Sequence, residues 1–436
     1  MRQDQWQQDG RRLSSARPSS GTNRWGWGKK AHPERHTVTT SQTSAAARIR
    51  SSRQRTRSRW MWVAVLTIAL LGLALWQRVV TAHPTVAPAM SRIATGSGHT
   101  CAVTADGHVK CWGDNAMGQL GDGTFTRSLA PVAVAGLEHV KAVASGSGSH
   151  TCALTDAGDV WCWGANETGQ LGNNDTASSA LPVKVTGLET ALGIAVGRSH
   201  TCAVTSKGLF CWGENSSGEL GNGSTDASLT PSPVEGFGPT SAIALGAGVS
   251  CGIADAARVA CWGDDGDGQL GDQGFAAVNA PLAVQGIDSH VVSVSVSDTH
   301  VCVVTNKAEV WCWGSNTSGQ IGIGSTSASS IPTKVPAVRD VASAIAGFQR
   351  TCVLHTTGGY PECWGGVTDP TGSDGSVVPQ TVQELGQDVA FLSLGTFHGC
   401  LMKTGGEVRC WGSNTTGQLG DGSTADSTVP VSVPGF

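Results

Sequence analysis

Tyrosine, methionine and charged side chains are scarce in this chain. Its 436 residues include 1 Tyr, 5 Met and 8 Phe, and only 14% of them are charged. Tryptophan, with 15 residues, and glycine, with 59, are abundant instead. Many short strands joined by glycine-rich turns are typical of all-β proteins, so the composition favours that class.

Signatures of enzyme chemistry are also missing. The chain contains no H-E-x-x-H metal motif, and no Lys-Ser/Thr follows its glycine-rich turns as a phosphate-binding loop would require. No cysteine stands apart from a repeated pattern as an isolated reactive thiol would. The sequence therefore predicts no catalytic residue, no metal ligand and no cofactor.

The net charge of −4 conceals a sharp asymmetry along the chain. Residues 1–59 contain 14 basic and 3 acidic side chains, whereas residues 79–436 contain 14 basic and 30 acidic ones. The second part is therefore strongly acidic. Because an acidic surface repels phosphate groups, we expect no nucleic-acid partner for that part.

One apolar run divides the first 90 residues. Residues 1–59 are rich in Ser, Arg, Gln and Thr and have no hydrophobic period, which predicts a disordered segment. No charge occurs over 60–76, and tryptophans stand at both ends of that run. We therefore predict one transmembrane helix, a signal-anchor, over 60–80. A Pro-rich linker, 81–90, follows.

The arginine-rich stretch 48–59 sets the expected orientation of this helix. The positive-inside rule places it in the cytoplasm and the rest of the chain outside a single-pass cell membrane. Binding of nucleic acid or anionic lipid by the arginines is a less favoured alternative. A cleavable signal ending near Ala82 is a second alternative, which would give a secreted protein.

Residues 91–436 contain seven repeats of about 50 residues. Each repeat has a first cysteine and, 9 to 11 positions later, a second cysteine followed by Trp-Gly. The first cysteines are Cys101, Cys152, Cys202, Cys251, Cys302, Cys352 and Cys400. The second cysteines are Cys111, Cys162, Cys211, Cys261, Cys312, Cys363 and Cys410. A closed ring of such repeats is one domain, so we predict a seven-bladed β-propeller over 91–436.

The cysteines of the first repeat flank a short turn. Alternating residues on either side of Asp106-Gly107 predict a β-hairpin in which Cys101 lies opposite Cys111. Directly opposed side chains are within disulfide reach. We therefore predict seven intra-repeat disulfides, which an oxidising location would maintain. Reduced buried thiols and, less favoured, zinc ligands are the alternatives.

Each Cys-Trp-Gly except the sixth leads into a turn-rich segment of the form G-x-N-x-x-G-Q-L-G. A proline-led strand follows, with the prolines at Pro131, Pro182, Pro231, Pro281, Pro332, Pro379 and Pro430. A small apolar strand then leads to the next first cysteine, which gives four strands per blade. We expect the last strand, 430–436, to complete the first blade and so close the ring.

Five histidines stand two residues before a first cysteine: His99, His150, His200, His300 and His398. Such a ring is compatible with a metal site. Symmetric repetition, however, favours a structural bond from each histidine to a backbone group of the neighbouring blade, since catalytic sites usually need unlike residues. The acidic stretch Asp264–Asp267 resembles a calcium loop but lacks the glutamate at the twelfth position, so we interpret it as an acidic turn.

The pattern H-T-C-A-V-T at His99 and C-W-G-x-N-x-x-G-Q-L-G-D-G at Cys111 resembles the regulator of chromosome condensation repeat. The resemblance covers 91–436 and is strong in repeats one, two, three, five and seven. It implies a seven-bladed propeller. The family's eukaryotic founder is a chromatin-bound guanine-nucleotide exchange factor for a small GTPase, and a secreted bacterial relative inhibits β-lactamases. Neither activity follows from the fold alone.

Repeats four and six depart from this pattern. Val249 and Arg350 replace the histidine in repeats four and six, and 365–378 lacks the G-Q-L-G turn. The divergent loop is either a partner site or the result of drift in a tolerant loop.

Variable tips of the turn-rich segments, such as Asn115-Ala116-Met117, predict the working surface. They are short and polar and carry no aromatic anchor. Nearby acidic residues are expected to attract a basic partner surface: Asp114, Glu167, Glu214, Asp264 and Asp267. We therefore predict a monomeric, membrane-anchored, extracytoplasmic scaffold that binds a protein or a cell-surface polymer. Guanine-nucleotide exchange and enzyme inhibition are the alternatives, and no enzyme activity is expected.

Overall fold

The computed structural model describes residues 91–254, 257–366 and 375–436. In these ranges 28 strands form seven antiparallel four-stranded sheets, so the predicted all-β seven-bladed propeller is confirmed. The predicted disordered segment 1–59, transmembrane helix 60–80 and linker 81–90 lie outside the described residues. Within the ranges just given, no helix has the length and apolarity needed to cross a membrane.

Each blade takes its four strands from one continuous stretch of chain. Blade one contains β1 (Ile93–Thr95), β2 (His99–Val103), β3 (Val109–Gly113) and β4 (Ser128–Ala133). Blade two contains β5 (Val140–Ser145), β6 (His150–Thr155), β7 (Val160–Gly164) and β8 (Ser179–Lys184). Blade three contains β9 (Ala191–Val196), β10 (His200–Thr205), β11 (Gly208–Gly213) and β12 (Ser228–Pro233). Blade four contains β13 (Thr240–Leu245), β14 (Val249–Ala254), β15 (Arg258–Gly263) and β16 (Val278–Ala283).

The remaining three blades follow the same plan. Blade five contains β17 (Val291–Val296), β18 (His300–Thr305), β19 (Val310–Gly314) and β20 (Ser329–Lys334). Blade six contains β21 (Val341–Gly347), β22 (Arg350–His355), β23 (Glu362–Gly365), the two-residue β24 (Gln380–Thr381) and then a short 3-10 helix (Gln383–Leu385). Blade seven contains β25 (Val389–Leu394), β26 (His398–Lys403), β27 (Val408–Gly412) and β28 (Ser427–Ser432).

Strands pair in chain order within every blade. The first strands of all seven blades line a shared axial channel of about 250 Å³. Their residues at the channel are mostly Ala, Ser, Gly, Val, Ile and Leu. The fourth strands are consequently the outer edges of the sheets.

The central hairpin of each blade is the feature that the sequence predicts best. In blade one, Cys101 pairs with Cys111 and Ala102 with Lys110, as predicted. The Cα atoms of the two cysteines are 4.1 Å apart, a spacing close to that of a non-hydrogen-bonded antiparallel pair. All seven predicted disulfides are formed, each within one blade. Among the described residues no cysteine is free.

The prolines of the fourth strands lie inside those strands, whereas we predicted them at the first residue. Strand β4 begins at Ser128, three residues before Pro131. An outer-edge strand tolerates proline because its outward N–H groups have no ladder partner. Blade six is the exception, since Pro379 comes just before β24.

Tryptophan side chains join neighbouring blades. The tryptophan of each Cys-Trp-Gly is buried against the preceding blade, and in six blades its indole N–H donates to a carbonyl of the preceding blade's loop, 2.8–3.0 Å away. The pairs are Trp163 with Gln119, Trp212 with Gln170, Trp262 with Glu219, Trp313 with Gln269, Trp364 with Gln320, and Trp112 with Gln418. A buried N–H needs an acceptor, so each loop satisfies the indole of the next blade.

Ring closure between blades seven and one does not use the predicted strand exchange. The last strand, β28, pairs with β27 of its own blade, and blade one already has four strands. Side chains close the ring instead. Trp112 bonds to Gln418, and its ring lies 5.6 Å from that of Phe436, between centroids. The prediction for 430–436 is wrong because the small apolar strand, not the proline-led strand, begins each blade.

Candidate interaction site

Six loops emerge together at one face of the propeller. These bridging loops follow the third strands and span 114–127, 165–178, 214–227, 264–277, 315–328 and 413–426. They start beside the turns between first and second strands, since the Asp114 N–H donates to the Gly98 carbonyl at 2.8 Å. We call this side the loop face. The opposite side, the hairpin face, carries the turns between second and third strands.

The asparagine near the start of each bridging loop is a scaffold residue, although we predicted it in the exposed tip. Asn115 is fully buried. Its Oδ1 accepts from the Leu120 N–H at 2.9 Å, and its Nδ2 donates to the Thr124 and Thr126 carbonyls at 3.0 Å. The equivalent residues, also fully buried, are Asn166, Asn215, Asp265, Asn316 and Asn414. The accessible part of each tip is thus reduced to the two residues that follow.

The five histidines link adjacent blades around the ring. Each Nε2 lies 2.8–3.0 Å from a hydroxyl of the next blade, in the pairs His99–Thr151, His150–Thr201, His200–Ser250, His300–Thr351 and His398–Thr100. The Thr100 and Thr201 hydroxyls donate to loop carbonyls, at 3.0 and 2.9 Å. A hydroxyl has a single proton, so there the histidine Nε2 is the donor. The partner belongs to the neighbouring blade, as predicted, but it is a hydroxyl and not a backbone group.

Burial keeps these histidines neutral. It lowers the pKa of His99 to about 4, although Asp114 acts in the opposite direction. Burial likewise lowers the pKa of the other four to about 3, namely His150, His200, His300 and His398. Across the described part of the chain, no group of three or more His, Cys, Asp or Glu side chains is placed to hold a metal ion. Four of the ring histidines, His150, His200, His300 and His398, therefore donate hydrogen bonds between blades, because their hydroxyl partners donate to loop carbonyls.

A G-x-S-x-G stretch at 248–252, the kind of motif that can mark a serine nucleophile, was missed in the sequence. Its serine, Ser250, is fully buried. The Ser250 hydroxyl donates to the Glu219 carbonyl at 2.8 Å and lies 3.0 Å from His200. This residue takes the place of threonine in the ring of bonds between blades, so the structure gives it a packing role.

All five predicted acidic residues belong to bridging loops, but they differ in exposure and in the hydrogen bonds that their carboxylates accept. Glu167 is exposed. Asp114, Glu214 and Asp264 are half-buried, and each carboxylate accepts an N–H from its own loop at 3.2–3.3 Å. Of these four, Glu167 is therefore the one best placed to meet a partner without disturbing its loop.

Blades three and four bring acidic groups together. Burial raises the pKa of Asp267, and Asp264 raises it further. Burial also raises the pKa of the buried Glu219, with a contribution from Glu214 and Asp264. Glu214, Asp264 and Asp267 therefore share one acidic sector, whereas the other two predicted residues lie on blades one and two.

The two faces differ in how their charges are arranged. On the hairpin face, basic side chains pair with carboxylates, as in Lys184–Asp159, Lys207–Glu189, Lys334–Glu309 and Arg409–Glu407. The six bridging loops contain many Asp and Glu but a single basic residue, Arg127, and the turn between β9 and β10 adds the exposed Arg198. The loop face is therefore suited to a basic partner surface.

Exposed phenylalanines on the loop face were also missed. Phe348, in the turn between β21 and β22, is 36% exposed, and Phe397, in the turn between β25 and β26, is 62% exposed. Their ring centroids are 6.3 Å apart. The bridging loops add Phe125 and Phe275, both exposed. The sequence does distinguish these two positions, because the same turn contains only small residues in the first two repeats, as in G-S-G, and a phenylalanine in the last two.

The joint between blades six and seven differs from the others. The divergent segment 365–378 replaces a bridging loop, and its residues 367–374 lie outside the described ranges. Among the residues that the structure describes, the buried indole Nε1 of Trp411, in blade seven, has no hydrogen-bond partner. Phe348 and Phe397 belong to the two blades of this same joint, so the irregular joint and the exposed rings coincide.

The fold and its repeated links between blades define a seven-bladed propeller made from one kind of repeat. The chain belongs to the regulator of chromosome condensation (RCC1) repeat family. The family's repeat matches residues 106–154, 157–204, 208–253, 258–304, 307–354 and 405–436, more than half of the chain.

Similar proteins include the ultraviolet-B receptor UVR8 of Arabidopsis thaliana, which is 34% identical over 257 residues. The match spans 57% of this chain and 58% of the receptor, less than two thirds of its length. Human WBSCR16 has a TM-score of 0.69 at 22% identity, over 75% of this chain and 94% of that one. Prp20p from Saccharomyces cerevisiae has a TM-score of 0.67 at 19% identity, over 76% and 87%. The two solved structures show the fold alone.

Proposed function

We propose that this protein is a non-enzymatic scaffold that binds a partner protein on its loop face. The observation that carries the proposal is the exposed pair Phe348 and Phe397, on the loop face at the irregular joint of blades six and seven. Exposed apolar patches with polar surroundings mark contact sites, and aromatic anchors dominate their energetics. The partner expected here presents an apolar side chain to the two rings and basic residues around it.

A site-specific photo-cross-linker tests which face is used. A benzophenone amino acid at position 397 probes the loop face, and the same group at position 360 is the matched control. Tyr360 is an exposed aromatic residue in the hairpin turn of blade six. We expect a protein partner to cross-link from 397 and not from 360. The same products from both positions would contradict docking on the loop face.

We further propose that the propeller works outside the cytoplasm, attached to a membrane by residues 60–80. Seven disulfides support an oxidising compartment. The arginines before the apolar run support the orientation. An attached propeller should be removed when intact cells are treated with protease, while a tag before residue 60 is retained.

Other outcomes of this protease experiment have distinct meanings. Protection of both ends would overturn the proposed location without affecting docking on the loop face. Release of an untagged propeller into the medium would indicate cleavage near Ala82 instead of an anchor. Guanine-nucleotide exchange and enzyme inhibition require different partners, so the identity of the cross-linked protein separates those alternatives from a scaffold.

A further inference from the structure

Bridging loop four differs from the other five at one buried position. In those five loops, an asparagine Nδ2 donates to the backbone carbonyl nine residues later at 2.8–3.1 Å. In four of them the same Nδ2 lies 3.2–3.4 Å from the side-chain oxygen seven residues later. Blade four has Asp265 at this position, and a carboxylate has no hydrogen to donate.

Loop four otherwise keeps the geometry of its relatives. The Leu270 N–H donates to Asp265 Oδ1 at 2.8 Å, as Leu120 does to Asn115 at 2.9 Å. The Gly274 N–H donates to Asp272 Oδ1 at 2.7 Å, as in the equivalent turn of loop one. The second carboxylate oxygen of Asp265 thus takes the place of the amide that faces oxygen atoms in the other loops.

That second oxygen has no hydrogen-bond partner among the residues that the structure describes. Asp265 is fully buried, its Oδ1 accepts from Leu270, and its Oδ2 lies outside hydrogen-bond geometry even though the Ala276 amide acts on the carboxylate electrostatically. The residue seven positions later is Asp272, and the carbonyl nine positions later is that of Gly274. An ionised Asp265 therefore places oxygen against oxygen. Such an arrangement is unfavourable unless a positive charge or a proton lies between the groups.

We propose that bridging loop four binds one Ca²⁺ through the carboxylates of Asp265 and Asp272 and the carbonyl oxygen of Gly274. Ca²⁺ takes six to eight oxygen ligands in flexible geometry and accepts carboxylates, carbonyls and water together. Mg²⁺ demands stricter geometry and dehydrates reluctantly. Residues 275–277 are exposed and Asp272 is half-buried, so water can complete the shell.

This arrangement differs from the linear acidic stretch Asp264–Asp267. The side chain of Asp264 is already engaged with Gln269, whose Nε2 donates to it at 3.1 Å. The proposed ligands come from the two sides of the folded loop. With two carboxylates and several waters, we expect a dissociation constant on the order of 10⁻⁴ to 10⁻³ M, as in extracellular calcium modules.

A proton is the competing occupant. Burial raises the pKa of Asp265 to about 6, the Leu270 and Ala276 amides oppose this, and Asp272 and Asp264 raise the pKa further. Near pH 7.5 a carboxyl group with that pKa is mostly ionised, so a proton no longer separates the oxygens. Above pH 7, a bound cation would therefore stabilise the loop, whereas a proton would already have left Asp265.

Calcium titration of the purified full chain at about pH 7.5 tests the proposal. Terbium luminescence measures binding at the site, and the melting temperature measures its effect on stability. We expect one site per chain and a melting temperature that rises by several degrees in millimolar Ca²⁺ relative to EDTA. Equal concentrations of Mg²⁺, and NaCl of matched ionic strength, should give a much smaller rise.

Three substitutions distinguish calcium binding at this site from nonspecific attraction of Ca²⁺ to the acidic surface. Asp265→Asn restores the residue of the other loops, so it should fold, lose the calcium response and melt in EDTA no lower than the parent. Asp272→Asn should weaken calcium binding at least tenfold. Asp122→Asn, the same change in loop one, is the matched control and should leave binding unchanged.

Two results would overturn the proposal. In the first, the parent protein shows no calcium response and loses stability relative to Asp265→Asn as pH rises through 6, which identifies a proton as the occupant. In the second, Asp265→Asn binds Ca²⁺ as tightly as the parent, which places the ion elsewhere.

Discussion

The indole nitrogen of Trp112, in the first blade, donates a 2.9 Å hydrogen bond to the carbonyl of Gln418, in the last blade. Five other joints carry the same bond. The hydrogen bond from a tryptophan to a loop carbonyl therefore joins blades seven and one just as it joins five other pairs of blades, and no strand is exchanged. Gly420 lies against this bond, since a Cβ at that position would be 2.6 Å from Trp112 Nε1.

Gly420→Ala should destabilise the propeller more than Gly422→Ala. Both glycines have positive φ, +72° and +86°, but a Cβ at 422 would meet nothing within 4 Å. Each alanine costs about 1–2 kcal/mol for the left-handed backbone, and only the first adds about 1–3 kcal/mol of overpacking. Chemical denaturation of the two variants measures the difference. Equal losses would show that the contact with Trp112 does not matter.

Trp411→Phe should cost less stability than Trp112→Phe. Both changes remove a similar volume from a buried site. Trp112 also loses its bond to Gln418, worth about 1 kcal/mol, whereas Trp411 loses an indole N–H that has no partner in the described part of the chain. Denaturation midpoints of the two variants compare them directly. A greater loss for Trp411→Phe would contradict the description of the joint between blades six and seven.

The hairpins and their disulfides could be predicted because each depends on residues within eleven positions of one another. The links between blades could not, since the partners of His99 and Trp163 are set by how one blade packs on the next. Ring closure was predicted wrongly because the repeat can be divided at either the proline-led or the apolar strand. The Phe348 and Phe397 pair was missed because its two members are 49 positions apart.

Stability should fall as pH falls below about 6.5. The folded pKa values of the five histidines, about 3 to 4, lie below their ordinary value of 6.5. The unfolded chain therefore binds more protons, and at pH 5 each histidine loses about 2 kcal/mol of stabilisation. Denaturation between pH 5 and 7.5 measures the slope. His150→Gln should reduce it and His108→Gln, at an exposed site, should not; an unchanged slope in both would refute the assignment.

Glu167→Lys should weaken binding of the cross-linked partner and reduce its dependence on salt. Glu167 is exposed on the loop face and holds no loop geometry that the reversal would disturb. Asp264 is less suitable because Gln269 and Gly266 bond to it. Reversal of a rim charge acts mainly on the association rate. Glu138→Lys, exposed on the hairpin face, is the control, and an equal effect from both reversals would contradict an acidic docking face.

Docking on the loop face is tested by the affinity of the partner for the double variant Phe348→Ser/Phe397→Ser. We expect at least a tenfold loss, which corresponds to about 1.4 kcal/mol, with only a small change in melting temperature because both rings lie in surface turns. Tyr360→Ser, on the hairpin face, should remain within twofold of the parent. Parental affinity in the double variant, or an equal loss in Tyr360→Ser, would contradict the claim that the partner docks on the loop face.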